Sequence, residues 1–234
     1  MLPLAIETHG ISRRFGLHHA LRDVTLTLAP SSVLLVVGSN GAGKTTLLRL
    51  LATALRPSRG RGSVFGHDLV RDADAVRRYA VFVGVSGGAY GSLSGEENLA
   101  FAAAMGGVPS GRLEILALLQ RVGLAHTRQL PVRAYSQGMR RRLALARAWL
   151  LRPRLLLLDD PFGGVDTEGA ALVVALVGEV REAGGAAVLA THEWERGLPL
   201  ADRIVALTSG RQAEASDAHG LSPTRLRALV GGPA

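Results

Sequence analysis

The 234-residue sequence contains no cysteine. The chain therefore has no disulfides, no thiolate metal ligands and no cysteine nucleophile, which fits a reducing compartment. Long apolar runs are also missing, since 155–158 and 170–177 are far shorter than the roughly 18–20 residues of a membrane-spanning helix. No basic segment followed by a long apolar stretch opens the chain, so we expect no secretory signal. If the protein acts at a membrane, a partner chain crosses it.

Lysine is nearly absent too, because arginine supplies every cationic residue except Lys44. Lys and Arg number 27 against 19 Asp and Glu, a formal net charge of +8. The one dense basic run, Arg140–Arg142, lacks interleaved aromatic residues, so we expect no nucleic-acid partner. An arginine-rich composition, acidic lipid headgroups and a membrane partner all remain as explanations of the charge. The 47% apolar fraction excludes a disordered chain.

A strand followed by a glycine-rich loop is the strongest motif. Ser32–Val37 is typical of a strand buried on both faces, and a helix is expected over Thr45–Ala54. The loop between them matches the P-loop pattern G-x-x-x-x-G-K-[ST]. Its residues are Gly38, Ser39, Asn40, Gly41, Ala42, Gly43, Lys44, Thr45 and Thr46.

The chemistry of a P-loop assigns a role to each part. Backbone N–H groups and the helix N-terminus surround the phosphates, Lys44 reaches the β and γ phosphates, and the Thr45 hydroxyl ligates Mg²⁺. A compact ammonium suits this position better than a planar guanidinium. Retention of the chain's single lysine here therefore supports a nucleotide site.

Two more strands end in polar residues. Leu155–Leu158 leads into Asp159 and Asp160, a Walker B pattern in which Asp159 holds Mg²⁺ and Asp160 polarises the attacking water. The strand Ala186–Ala190 delivers His192 to the sheet edge where open α/β folds bind ligands. The alternatives are an ordinary strand-end Asp and a solvated loop histidine. We expect the latter for the remaining histidines, which are His9, His18, His19, His67, His126 and His219.

The segment Tyr135–Ala148 is similar to the signature loop and following helix of the nucleotide-binding subunits of ABC transporters. Ser136 is a good helix N-cap, Gly138 allows close backbone approach, and the helix is expected to end ahead of Pro153. The resemblance covers roughly residues 4–210. It implies an α/β fold: a P-loop NTPase core with a mostly parallel sheet, an antiparallel β part and a helical subdomain.

The resemblance also implies an activity and partners. It implies an ATP hydrolase on the cytoplasmic face of the cell membrane, acting with an integral membrane subunit. Two copies, or two similar subunits, pair head to tail, and Ser136, Gln137 and Gly138 contact the γ-phosphate of ATP on the other chain. His192 supports that phosphate. Phe15 stacks on adenine or, alternatively, packs in the core. Asp166 belongs to the D-loop or is merely the N-cap of a helix over 167–183.

The sequence departs from the family pattern at two places. Asp160 stands where the family usually has Glu, and this shorter side chain predicts slow hydrolysis. No Gln occurs before Leu119, so Val85 or Ser86 occupies the place of the Q-loop glutamine. We therefore expect nucleotide binding to be coupled to the membrane partner through contacts that differ from those of the family.

The chain is predicted to form one nucleotide-binding domain. Residues 1–84 and 153–210 form the ATPase core, 85–152 a helical subdomain and 211–234 a C-terminal tail. In the helical part, a capping box at Ser94–Glu97 opens a helix over Asn98–Met105, and Ser110 caps a second over Leu113–Val122.

The segments 84–94 and 97–99 resemble haem-exporter ATPases of the cytochrome c maturation system. Haem export is therefore one expected task, and export of a non-haem cargo is an alternative. A second alternative is a nucleotide-gated module that hydrolyses ATP weakly or not at all. A soluble ABC ATPase acting on DNA or ribosomes is disfavoured, because the chain has no room for long coiled coils or a second cassette.

Overall fold

The computed structural model describes residues 3–84, 87–218, 224 and 226–227. Within these residues one mixed sheet is surrounded by α-helices. The strands are β1 (Ile6–Phe15), β2 (His18–Leu28), β3 (Val33–Val37), β4 (Arg59–Val64), β5 (His67–Asp68), β6 (Ala80–Val83), β7 (Leu155–Asp159), β8 (Ala186–Ala190), β9 (Arg203–Thr208) and β10 (Arg211–Asp217). The helices are α1 (Lys44–Leu51), α2 (Ala73–Tyr79), α3 (Gly95–Gly106), α4 (Arg112–Arg121), α5 (Gln137–Leu151), α6 (Thr167–Glu182) and α7 (Trp194–Gly197).

The sheet has two halves that differ in strand direction. Its strand order is β5-β4-β1-β2-β10-β9-β3-β8-β7-β6. Strands β9, β3, β8, β7 and β6 pair in parallel, whereas β1, β2, β4 and β5 pair antiparallel. The predicted fold class, a P-loop core with parallel and antiparallel parts and additional helices, is confirmed.

Both faces of the central strands are covered, which explains their continuous apolar sequences. In β3, Leu35 and Val37 pack in one apolar cluster, and Leu34 and Val36 pack in the other. All five residues of β3 are buried. Burial on both faces fixes the position of β3 in the sheet. The loop that follows β3 therefore starts at a fixed point on the carboxyl edge of the sheet.

The first helices of the segment 85–152 follow their capping signals only in part. The capping box is confirmed: Ser94 Oγ accepts the Glu97 N–H (3.2 Å), and Glu97 accepts the Ser94 N–H (2.8 Å). Ser110 is not the cap of α4. Gly111 occupies that position, and the Ser110 hydroxyl donates to the Val108 carbonyl instead. In the chain, helices α3, α4 and α5 come after β6 and before β7, in the segment where a helical subdomain is predicted. That division stays a prediction.

The segment after residue 210 contains a strand that sequence analysis missed. Expected as a polar tail, Arg211–Asp217 forms β10, which pairs antiparallel with β9 and touches β2 through Arg211 and Arg22. Its small and polar side chains carry little apolar pattern, so backbone pairing with β9 decides its conformation. Residues 219–223, 225 and 228–234 of the predicted tail lie outside the described residues.

Candidate functional site

The P-loop connects β3 to α1 by close contacts between backbones. Gly38 and Gly43 both have positive φ, 151° and 104°. A Cβ atom on Gly38 would lie 2.3 Å from the Leu207 carbonyl oxygen, and one on Gly43 would lie 2.5 Å from that of Ala20. Only glycine fits at these two positions. Gly43 caps α1 without any side-chain acceptor, so the first N–H groups of the helix are available to an anion.

Lys44 lies over this loop. Its Nζ donates to the carbonyl oxygens of Gly38 (2.7 Å) and Ser39 (2.9 Å). Partial burial lowers the pKa of Lys44, although the carboxylates of Asp160 and Asp159 oppose the shift. Neutral carbonyls are weaker partners for an ammonium group than phosphate oxygens, so a bound polyphosphate would replace them.

Thr45 and Asp159 join the P-loop to the end of β7. The Thr45 hydroxyl donates to both carboxylate oxygens of Asp159, at 3.0 and 2.8 Å. Burial raises the pKa of Asp159, and the bond from Thr45 opposes that shift. A hydroxyl and a carboxylate at one point are oxygen ligands of the kind Mg²⁺ prefers. These two residues therefore fit the ion that the P-loop predicts.

Within the described residues no three His, Cys, Asp or Glu side chains are grouped to hold a metal. This agrees with Mg²⁺ chemistry, because the ion is usually held by one or two protein oxygens together with substrate phosphates and water.

Asp160 follows Asp159 in a strained conformation, with φ of 51°. Its Oδ1 accepts a hydrogen bond from the Thr191 hydroxyl (3.1 Å) and lies 3.1 Å from His192 Nδ1. Strand β8 lies between β3 and β7, so the residues after β8 reach the space between the P-loop and Asp160. The His192 side chain is 51% exposed and faces an open cleft.

These groups line a single cleft of about 380 Å³. It brings together most of the residues predicted for the site: Asn40, Gly41, Gly43, Lys44, Thr45, Thr46, Asp159, Asp160 and His192. Sequence analysis missed two lining residues, His18 and Ala20 on β2. The only signal for them is their place beside Phe15 in a tight hairpin, where Phe15 pairs with His18.

Phe15 lies at the end of β1 and is 45% exposed. It belongs to neither apolar cluster, which argues against a core-packing role. The guanidinium of Arg13 lies 4.5 Å from the ring centre. The Phe15 ring is therefore accessible to a ligand beside His18. Its stacking on adenine stays a prediction.

The signature loop (Ser136, Gln137 and Gly138) lies apart from this cleft. Ser136 Oγ accepts the Met139 N–H at 3.1 Å and caps α5, as predicted. Gly138 lines a separate cavity of about 200 Å³ that reaches Asp159 and Asp160 from another side. None of the three lines the cleft with Lys44.

Asp166 is the N-cap of α6. Its Oδ1 accepts the Gly169 N–H at 2.7 Å, and its Oδ2 accepts from Arg142 at 2.9 Å. The N-cap interpretation therefore holds. Val85 and Ser86, predicted to occupy the Q-loop position, lie outside the described residues.

The other histidines are less often in loops than expected. His9, His18, His19 and His67 lie in strands, so the loop prediction was wrong for these four. His67 stacks on Tyr79, with ring centres 5.3 Å apart. The exposed faces of antiparallel strands tolerate polar residues. A histidine on such a face therefore cannot be told from a loop histidine by sequence alone. His219 lies outside the described residues.

Comparisons with known proteins agree with this geometry. A sequence model of the ABC transporter family matches residues 21–163. The daunorubicin resistance ATP-binding protein DrrA3 of Streptomyces coeruleorubidus is 40% identical over 213 residues, 90% of this chain and 67% of that protein. The cytochrome c biogenesis ATP-binding export protein CcmA of Bordetella bronchiseptica is 38% identical over 190 residues, 81% of this chain and 84% of its own length.

A solved structure of the ATP-binding subunit of an ABC transporter superposes with a TM-score of 0.84 at 25% identity, covering 97% of this chain and 98% of that one. The chain belongs to the ABC transporter family and is an ATP-binding subunit. None of the described helices combines the length and the apolar character needed to span a bilayer.

Proposed function

We propose that the chain binds ATP with Mg²⁺ and hydrolyses it to drive a separate integral membrane subunit. The observation that supports this most strongly is the meeting of five side chains in one cleft: Lys44, Thr45, Asp159, Asp160 and His192. They come from three neighbouring parallel strand ends, the edge where such sheets bind ligands.

The roles follow from position and charge. Lys44 and the N–H groups of the P-loop hold the triphosphate, and Thr45 with Asp159 holds Mg²⁺. When bound, the ion neutralises charge on the phosphate oxygens. Asp160 orients the attacking water, and His192 supports the γ-phosphate. Such a site works by positioning and charge stabilisation.

A second copy, or a similar subunit, completes the site. Because the signature loop lies outside its own chain's cleft, we propose that Ser136, Gln137 and Gly138 close over ATP bound to the partner, with the two chains head to tail. Closure upon ATP binding and opening upon product release would move the membrane subunit between two states. The chain is then peripheral on the cytoplasmic face of the membrane.

We further propose that hydrolysis is slow, since Asp160 has one methylene less than the usual Glu. The same residue supports the alternative of a nucleotide-gated module with weak or absent hydrolysis. The complete set of Lys44, Thr45, Asp159 and His192 opposes that alternative. Vanadate-sensitive phosphate release by the purified chain separates the two.

Substitution of Lys44 tests the proposal directly. Lys44→Ala should abolish ATP binding in calorimetry and lower phosphate release by at least about 100-fold, because a principal charge contact to the phosphates is lost. Arg78→Ala, which removes an exposed cation on α2, is the matched control and should change neither quantity. Undiminished ATP binding by Lys44→Ala would contradict the proposed site.

For the cargo, we propose haem export in cytochrome c biogenesis. The likeness to CcmA, which covers most of that protein, supports it. Export of a drug such as daunorubicin is the second candidate, because the likeness to DrrA3 covers more of this chain. Purification of the tagged chain with its membrane subunit decides between them. A haem absorption band in the complex supports the first, and bound daunorubicin or a haem-free complex supports a non-haem cargo.

A further inference from the structure

We propose that Thr191 is a positioning residue that sets the orientation of the Asp160 carboxylate. This inference rests on the proposed ATP hydrolysis and adds a residue to it. Thr191 lies directly after β8 and is fully buried. It lines no part of the cleft, so it would act on the reaction only through Asp160.

The hydroxyl of Thr191 both donates and accepts one hydrogen bond. It accepts the N–H of Glu193 at 3.0 Å and donates to Asp160 Oδ1 at 3.1 Å. Because a donor already faces one lone pair, the hydroxyl proton points toward the carboxylate. The Thr191 N–H donates to the Val36 carbonyl at 3.2 Å, which ties this residue to β3.

The opposite side of the carboxylate meets bare backbone. A Cβ atom added to Gly163 would lie 2.2 Å from Asp160 Oδ2, so a larger residue here would displace this oxygen. The Asp160 N–H donates to the Ala190 carbonyl at 2.6 Å. One oxygen of the Asp160 carboxylate is therefore held by Thr191, and the other lies against Gly163. The backbone of Asp160 itself is anchored to β8.

Asp160 needs such support because of its conformation. Its φ of 51° lies in the left-handed region, which Asp adopts more readily than most side chains. His192 also lies 3.1 Å from Oδ1, but its side chain is 51% exposed, whereas Thr191 is enclosed. Thr191 is therefore the rigid partner and His192 the solvent-facing one.

The expected consequence is kinetic. Misplacing a group that orients the reacting water by about 1 Å costs on the order of 100-fold in rate. Loss of the Thr191 hydroxyl removes one of the contacts that fix Asp160 but no contact to ATP. It should therefore lower kcat and leave the affinity for ATP unchanged.

The experiment compares Thr191→Val, which keeps the shape without the hydroxyl, with Thr191→Ser, which keeps the hydroxyl. We expect valine to lower kcat by about 10- to 100-fold at unchanged ATP affinity, and serine to retain most of the rate. In the background of Asp160→Asn, Thr191→Val should cause no further loss, because its effect passes through the carboxylate. A crystal structure of Thr191→Val should show the Asp160 side chain turned away from β8.

Thr8→Val is the matched control. Thr8 is also fully buried, and its hydroxyl likewise donates to one carbonyl, of Val24 (3.2 Å), and accepts one N–H, of Leu26 (3.1 Å). It lies on β1 and does not line the cleft. This variant should lose thermal stability and keep kcat. If Thr191→Val fails to fold, Thr191→Ala compared with Thr191→Ser gives the same test.

Two failures are distinguishable. If the wild-type chain releases no phosphate from ATP under any condition, the proposed function is wrong. If the wild type hydrolyses ATP and Thr191→Val has the same kcat, Thr191 is not a positioning residue. The same conclusion follows if the loss of kcat in Thr191→Val adds fully to that of Asp160→Asn.

Discussion

The N-termini of helices α1 and α5 are built differently. Helix α1 begins at a glycine that provides no side-chain cap. Lys44 and Thr45 at its start both line the cleft, and Thr45 donates to Asp159 of the same cleft. Helix α5 begins at Ser136, whose own side chain caps it, and its first residues line no part of that cleft. The start of α1 therefore lies in the cleft of its own chain, whereas the start of α5 lies outside that cleft.

This contrast is what the proposed division of the ATP site between two chains requires. Under the proposed function, the cleft of one chain holds the triphosphate and Mg²⁺. Under the same proposal, the signature loop at the start of α5 contacts the triphosphate held by the partner chain. This division predicts that substitutions at the two loops separate ATP binding from hydrolysis.

Substitution of Gly138 in the signature loop should have the strongest effect on hydrolysis. A Cβ at this position would meet only Ser136 Oγ at 3.9 Å, so Gly138→Asp should fold. Its carboxylate would repel the partner's γ-phosphate, so ATP-dependent pairing and hydrolysis should be lost, the latter by about 100-fold or more. ATP affinity of the single chain should persist, unlike that of Lys44→Ala.

Size-exclusion chromatography with and without ATP, together with calorimetry, measures this separation. Gly111→Asp is the matched control, because Gly111 caps α4 and a Cβ there meets nothing within 4 Å. Equal loss of ATP affinity in Gly138→Asp and Lys44→Ala would show that both loops serve the same chain's cleft.

A smaller effect is expected at Asp160. If its short side chain limits hydrolysis, Asp160→Glu should raise the steady-state rate by a few-fold up to about 100-fold, the cost of a misplaced group. Asp160→Asn is the control and should lower the rate. An ATPase rate unchanged by the glutamate would sink the hypothesis of slow hydrolysis.

The smallest effect concerns the two serine caps. Ser94→Ala and Ser136→Ala should each lower the free energy of unfolding by about 1 kcal/mol, because each loses an N-cap hydrogen bond. Denaturant titration measures this loss. Only Ser136→Ala should also lower the ATPase rate, and equal rates in the two variants would reduce Ser136 to a structural cap.

Much of the candidate site was predictable because it follows local patterns. The P-loop is contiguous, and its glycines report the close approach of its backbone to Ala20 and Leu207. Asp159 ends β7 and His192 lies two residues after β8, and the ends of these parallel strands share one edge of the sheet. His18 and Ala20 were not predictable, because they enter the cleft from an antiparallel hairpin whose sequence carries no motif.

Other misses have equally local causes. The strand β10 has alternating polar and small residues, and its pairing with β9 defines it more than any apolar pattern does. Ser110 stands next to the true cap Gly111, and one residue decides which group reaches the helix N-terminus. The proposed domain division and the roles of the individual site residues stay predictions.

The buried strands, the P-loop and the caps of α3, α5 and α6 can be inferred from the sequence, since these depend on neighbours within a few residues. The folded structure places β8 between β3 and β7, which brings Thr191 to Asp160. It also decided that Ser136 lies away from the cleft with Lys44. Contacts between residues distant in the chain depend on strand order and packing, which local patterns do not encode.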